Sequence, residues 1–227
     1  MLRAVIFDFN GIIVDDEPIH FELFRRVLNE ERITLTEEEY YARYLGFDDR
    51  GAFTAAYREH GQPLSQPKLD ELIERKAAYY REDIKTKMRV FPGVESLIPN
   101  LARKLPLAIA SGALRNEIEI ILSSIGLFNE FRAIIGAEDV GRGKPEPEIF
   151  FKALAQLNTS LDGEPAISAN ECLVIEDSKE GVRGARRAGM KCLAITNSHP
   201  PELLAEADSI LDSLEGVSLP QLQAMWR

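Results

Sequence analysis

The stretch "RAVIFDF" (3–9), followed at once by "NGIIVDDEP" (10–18), decides how the chain is read. Apolar residues run without alternation from Ala4 to Phe7 and stop at Asp8. A strand covered on one face alternates apolar and polar side chains. A strand covered on both faces reads as a continuous apolar run. Four more such runs follow: "LAIAS" (107–111), "AIIG" (133–136), "CLVIED" (172–177) and "CLAIT" (192–196). Between them "NEIEIILSSIGL" (116–127), "PEIFFKALAQL" (147–157) and "EGVRGARRAG" (180–189) read as helices. This alternation predicts an α/β fold built on a doubly wound parallel sheet.

Residues 17–86 break the alternation. Phe21, Phe24, Val27 and Leu28 recur at helical spacing. "LTEEEYYARYL" (35–45) opens on Thr36 with Glu39 three residues on, the pattern of a capping box. "LDELIERKAAYY" (69–80) is a further amphipathic helix. About four helices and no strand are expected here, as a small helical domain inserted after the first strand. The joins fall at "IIVDDEP" (12–18) and "RVFPGVES" (89–96), where Pro92 and Gly93 break the pattern. The expected division is residues 1–15 and 88–227 for the core and 16–87 for the insertion.

The 227 residues suffice for one such domain with a small insertion, and the net charge of −10 argues against a nucleic-acid surface. A local positive pocket for a small anion stays compatible with it. No run of eighteen apolar residues is present, so no membrane span is expected. The opening residues read as a strand rather than a secretory leader. Cys172 and Cys192 sit in apolar runs and read as buried free thiols. The expectation is a cytoplasmic monomer.

Ligands of open parallel sheets bind at the carboxyl ends of the strands. The first run ends at Asp8, followed by Asn10; the second at Ser111 and Gly112. Lys144 lies beyond the third, and the fourth ends at Glu176 and Asp177. Taken singly each has an ordinary reading: a turn aspartate, an N-cap serine, a loop lysine, an acidic pair at a helix start. At four strand ends in succession they suit phosphoryl transfer. An aspartate is able to attack phosphorus if a cation such as Mg²⁺ offsets the charge of the phosphate. Asp8 and Asp177 supply carboxylates for it. Ser111, the amides of Gly112 and Ala113, and Lys144 are placed to hold phosphoryl oxygens.

The motifs "DFNG", "SG", "KPEPEIF" and "EDS" resemble, in order, the four motifs of the haloacid dehalogenase-like superfamily. The likeness covers essentially the whole chain and is greatest to β-phosphoglucomutase and small sugar-phosphate phosphatases. It implies a Rossmann-like core with an α-helical cap and Mg²⁺-dependent phosphoryl transfer to or from a small phosphorylated metabolite. It implies Asp8 as nucleophile, Ser111 and Lys144 as phosphoryl holders, and Asp8, the Asn10 carbonyl, Glu176 and Asp177 as metal contacts. It also implies cap contacts to substrate from His20, Lys76 and Arg50, the last shifted by one residue from its expected place.

Asn10 departs from the pattern. Phosphatases and mutases of the superfamily carry there an aspartate that is both metal ligand and general acid–base. A carboxamide keeps the backbone carbonyl but has no useful pKa. Three explanations stand open: an engineered trap; a natural enzyme whose proton carrier lies among Asp15, Asp16, Glu17 and His20; or different chemistry. C–P cleavage would need a cap lysine, Lys76 or Lys68, as a Schiff base. The rival outside catalysis is a binding protein for a phosphometabolite.

Overall fold

The computed structural model describes residues 1–44, 47, 49–161 and 165–226, with side chains at all of them except 81 and 83–87. Leu45, the last residue of one expected helix, lies outside this set. In chain order the elements are β1 Ala4–Phe7, β2 Val14–Asp15, α1 Glu17–Glu30, α2 Glu37–Arg43, α3 Asp49–Glu59, α4 Gln66–Lys87 and β3 Arg89–Val90. There follow α5 Val94–Ala102, β4 Leu107–Ala110, α6 Arg115–Ser124, β5 Ala133–Ile135, α7 Glu148–Thr159 and β6 Cys172–Glu176. The chain ends with α8 Lys179–Arg187, β7 Lys191–Ile195, β8 Ser209–Leu211 and α9 Leu219–Ala224. It divides into two compact units, Met1–Asp15 with Arg89–Arg227, and Asp16–Met88. Among the described residues no helix is long and apolar enough to cross a membrane.

In the larger unit six strands form one sheet in the order β5-β4-β1-β6-β7-β8, every pair parallel. Both faces are covered, which is why the strands read as unbroken apolar runs. Ala4, Ile6, Ala108, Ala110, Cys172 and Val174 point to the face that packs on Ile149, Phe150, Ala153 and Leu157 of α7 and on Val182 and Ala185 of α8. Val5, Phe7, Leu107, Ile109, Leu173 and Ile175, which alternate with them, are also fully buried. Burying a side chain the size of Phe150 or Val174 contributes about 1.5–3 kcal/mol relative to exposure.

The register sets the strand ends level. Phe7 pairs with both Ile109 and Ile175. The Asp8 amide then donates to the Ile175 carbonyl at 2.9 Å. β1 is the switch point: the chain runs outward through β4 and β5 on one side, then crosses to β6 on the other. That is where open α/β sheets leave a crevice. β8 and the short antiparallel pair β2–β3 were not expected from the sequence. Three-residue "SIL" (209–211) and two-residue strands are too short to carry a pattern, and β2–β3 lies where the joins were read.

In the smaller unit, α1 to α4 bury Phe21, Phe24, Val27, Leu28, Phe53 and Leu72 among their neighbours. The capping box forms as read: Thr36 Oγ1 accepts from the Glu39 amide at 3.2 Å, and Glu39 accepts from the Thr36 amide at 3.0 Å. Such a cap contributes about 1 kcal/mol.

Candidate active site

Asp8, Lys144, Glu176 and Asp177 converge at the carboxyl edge of the sheet. The Lys144 ammonium stands 2.9 Å from Asp8 Oδ1 and 2.5 Å from Glu176 Oε1. One oxygen each from Asp8, Glu176 and Asp177 lie within 4.8 Å of one another, and all three residues are buried. Asp8 sits there because β1 ends and the chain turns sharply. The amides of Ile13 and Val14 donate back to the Phe9 carbonyl, at 2.8 and 3.3 Å.

The turn depends on Gly11. Its φ of +78° is left-handed backbone, and the Asp177 carboxylate fills the space a Cβ would take. Asn10, half-buried, bridges to Val14 through its backbone.

Glu176 is held on every side. Its Oε2 accepts from the amides of Asp177 and Ser178, each at 3.0 Å, and from the Ser178 hydroxyl at 2.9 Å. Ser178 in turn caps α8, accepting from the Gly181 amide at 3.0 Å. Glu176 is therefore the anchor of Lys144 as well as a member of the acidic cluster.

Asp177 is fixed differently. The Ser198 hydroxyl donates to its Oδ2, and His199 Nδ1 donates to its backbone carbonyl at 3.1 Å. The carbonyl only accepts, so Nδ1 carries the proton. Asn197 Nδ2 donates to the Gly11 carbonyl at 2.6 Å.

Three carboxylates and one ammonium leave excess negative charge in a buried place. Burial pushes Asp8 up to about 6, Glu176 adding to the rise and Lys144 opposing it. Burial likewise pushes Asp177 up to about 8, helped by Glu176 and Asp8. Burial acts against the charge of Lys144, but Asp8 and Glu176 more than offset it and hold the ammonium above the ordinary lysine range. A cluster of hard oxygen donors that keeps protons for want of positive charge fits a divalent cation.

The second strand end carries Ser111, Gly112 and Ala113. Ser111 is buried after β4, and its hydroxyl oxygen accepts from the Ala113 amide at 3.2 Å. Gly112 is exposed, with open space where a Cβ would stand. Arg115, on α6, pairs with Asp139 at 2.7 Å, and its amide donates to Glu138 at 3.0 Å.

The remaining candidates belong to the smaller unit. His20 and Lys76 are brought together: the buried Lys76 ammonium donates to His20 Nδ1 at 2.9 Å and also binds Asp49. An ammonium only donates, so the His20 proton sits on Nε2, which donates to Asp16 at 3.1 Å. Tyr80 donates to the same Asp16 oxygen at 3.2 Å and stacks on His20. Arg50 does not join this set. It is exposed and pairs with Asp70 at 3.0 Å. Lys68 binds Glu31 and Glu71, each at 2.9 Å.

Sequence reasoning missed residues 196–199. Ser, Asn and Thr are what any loop contains, and only their position after another strand end marked them.

Fold and geometry together are those of an α/β protein with a buried acidic cluster and a lysine at the switch point of its sheet. The profile of the haloacid dehalogenase-like hydrolase family matches residues 5–195, and the chain belongs to that family. A putative phosphatase of Bacillus subtilis (strain 168), YhcW, is 34% identical over 227 residues, covering 98% of this chain and 96% of its own. The β-phosphoglucomutase of the same organism is 28% identical, covering 99% and 96%. The crystal structure of a putative β-phosphoglucomutase from Thermotoga maritima matches with a TM-score of 0.79 at 26% identity, covering 98% and 99%. The chain is thus an enzyme of the phosphatase and phosphomutase class within its family.

Proposed function

We propose that this chain catalyses Mg²⁺-dependent phosphoryl transfer from a small phosphorylated metabolite, such as a sugar phosphate, through an aspartyl phosphate on Asp8. The carrying observation is Lys144 bridging Asp8 and Glu176 beside Asp177, at the ends of β1 and β6. Asp8 attacks the phosphorus as the P–O bond to the metabolite breaks and its oxygen leaves with a proton, and water or a second substrate hydroxyl then takes the phosphoryl group and frees Asp8. Ser111, the amides of Gly112 and Ala113, and Lys144 bind the phosphoryl oxygens. Their charge and dipoles are fixed before the reaction, which is where phosphoryl-transfer catalysis chiefly lies. Asp8, Glu176, Asp177 and the Asn10 carbonyl are the groups to hold Mg²⁺, which supplies charge neutralisation for the incoming phosphate. The relatives named as a phosphatase and a β-phosphoglucomutase support the substrate class. His20, Lys76 and Arg50 are proposed as substrate contacts from the cap, residues 16–87. The setting proposed is the cytoplasm and the state a monomer.

The test is phosphate release or migration with Mg²⁺ and a panel of sugar phosphates, for the chain as it stands and for Asp8→Asn. Equal background rates from both would end the enzyme reading.

Asn10 favours a second reading, a slow or silent member that binds a phosphometabolite. Calorimetry decides: tight binding without turnover, and no gain on Asn10→Asp, would establish it. C–P cleavage has less support. A Schiff base needs a free amine, whereas Lys76 is buried in bonds to His20 and Asp49. Lys68 is held above its ordinary range by the hydrogen bonds it donates to Glu31 and Glu71.

A further inference from the structure

The loop after β7 reaches the acidic cluster from outside the four strand-end motifs. Its base is fastened to β8. The Thr196 amide donates to the Leu211 carbonyl at 3.0 Å, and the Thr196 hydroxyl donates to Asp212 Oδ1 at 3.0 Å. From that fixed base the next two side chains turn inward. Asn197 binds the Gly11 carbonyl at 2.6 Å, and Ser198 binds Asp177 Oδ2.

We infer that Ser198 and Asn197 are positioning residues of the metal site. Ser198 orients the Asp177 carboxylate, and Asn197 fastens the turn that carries Asp8 to Gly11. The inference rests on the proposed Mg²⁺ reading of the cluster. The geometry is specific. Asp177 Oδ2 lies against Gly11, in the space a Cβ would fill, with the Ser198 hydroxyl bonded to the same atom. Rotation of the carboxylate about its Cβ–Cγ bond would break the Ser198 bond. The lone pairs that Ser198 does not engage are thereby the ones left to take a cation.

The Asn197 bond acts on the other half of the site. Gly11 follows Asn10, whose carbonyl is a proposed metal contact, and Asp8 is two residues further back. One loop therefore holds the carboxylate from β6 and the turn from β1 in fixed relation. Groups that orient metal ligands in this way typically change metal affinity by about 10–100-fold when removed.

Ser198 is itself exposed, but its hydroxyl bonds the buried Asp177 carboxylate, so metal affinity and fold stability are measured side by side. The experiment is titration calorimetry of the intact chain with Mg²⁺, run beside thermal unfolding in EDTA. Ser198→Ala is expected to raise the Mg²⁺ dissociation constant about tenfold in a chain that thermal unfolding in EDTA shows to be cooperatively folded. Ser198→Thr, which keeps the hydroxyl, restores affinity. Asn197→Ala weakens Mg²⁺ independently. A Ser198→Ala chain that binds Mg²⁺ as tightly as wild type overturns the inference. So does one that fails to fold in EDTA, since the hydroxyl would then be chiefly a structural support. A wild-type chain that takes up no Mg²⁺ overturns the metal reading itself, and that result is distinct because it appears before any substitution is made.

Discussion

Gly181 makes room for Glu176: a Cβ on this α8 glycine would overlap the Glu176 carboxylate. Glu176 is fully buried and bonded to Lys144, so it has nowhere to retreat. Gly181→Ala is therefore expected to destabilise the protein by about 1–3 kcal/mol through overpacking. It should also lower phosphate turnover, because Glu176 shifts and Lys144 follows it. Urea unfolding and a steady-state assay on the same preparation check both. Unchanged stability with unchanged rate would mean that α8 yields without moving Glu176.

Removing the cation of the cluster should cost more. Lys144→Ala leaves Asp8 and Glu176 buried without their ammonium. Breaking a buried ion pair from one side typically costs about 3–5 kcal/mol. Adding Glu176→Gln to Lys144→Ala should return part of the loss, since one uncompensated charge is removed. A double-mutant cycle in urea measures it. Additive losses would show that the two residues do not act together.

In metal-free protein the acidic cluster sets a pH dependence with a definite sign. Burial raises Asp8 to about 6 and Asp177 to about 8, from about 3.8 in an unfolded chain. Between those limits the folded chain holds protons that the unfolded chain releases. Stability contributed by these two groups is thus full at acid pH and lost as pH climbs through about 4 to 8. Lys144, held above its usual range, loses its contribution only at pH beyond that of ordinary lysines, outside this window. The melting temperature in EDTA should fall over that interval. The increase given by Mg²⁺ should grow over it, and Asp177→Asn should flatten the fall. A flat wild-type profile in EDTA would refute the assignment.

How much of this was legible in the sequence follows from burial. β1, β4 and β6 are covered on both faces, so their apolar runs stand out, and the residue that ends each run falls at one edge of the sheet. Asp8, Ser111 and Glu176 could be picked out on that ground alone. The support around them could not. Gly181 looks like any small residue on α8, and Ser198 like any loop serine. Their meaning lies in contacts between β6, α8 and the loop after β7, which only the folded sheet creates. Asp49 and Arg50 are adjacent in sequence, yet Asp49 reaches Lys76 whereas Arg50 pairs with Asp70, a division that no sequence pattern marks.

Asn10 carries the last prediction. The turn that presents it is built by backbone bonds and by Gly11. Asn10→Asp should leave that turn intact and supply the missing proton carrier. General acid–base catalysis typically contributes about 10²–10⁴-fold, so kcat on a responsive sugar phosphate should rise within that range. KM should change far less, because the phosphoryl contacts proposed for Ser111 and Lys144 are the same in both forms. A new pH dependence of kcat should accompany the gain, with activity tracking the ionisation of the introduced carboxyl. If the rate stays within twofold of the parent chain and its pH profile is unaltered, another group already moves the proton. Asp16 and His20, bonded to each other at 3.1 Å, are then the residues to substitute next.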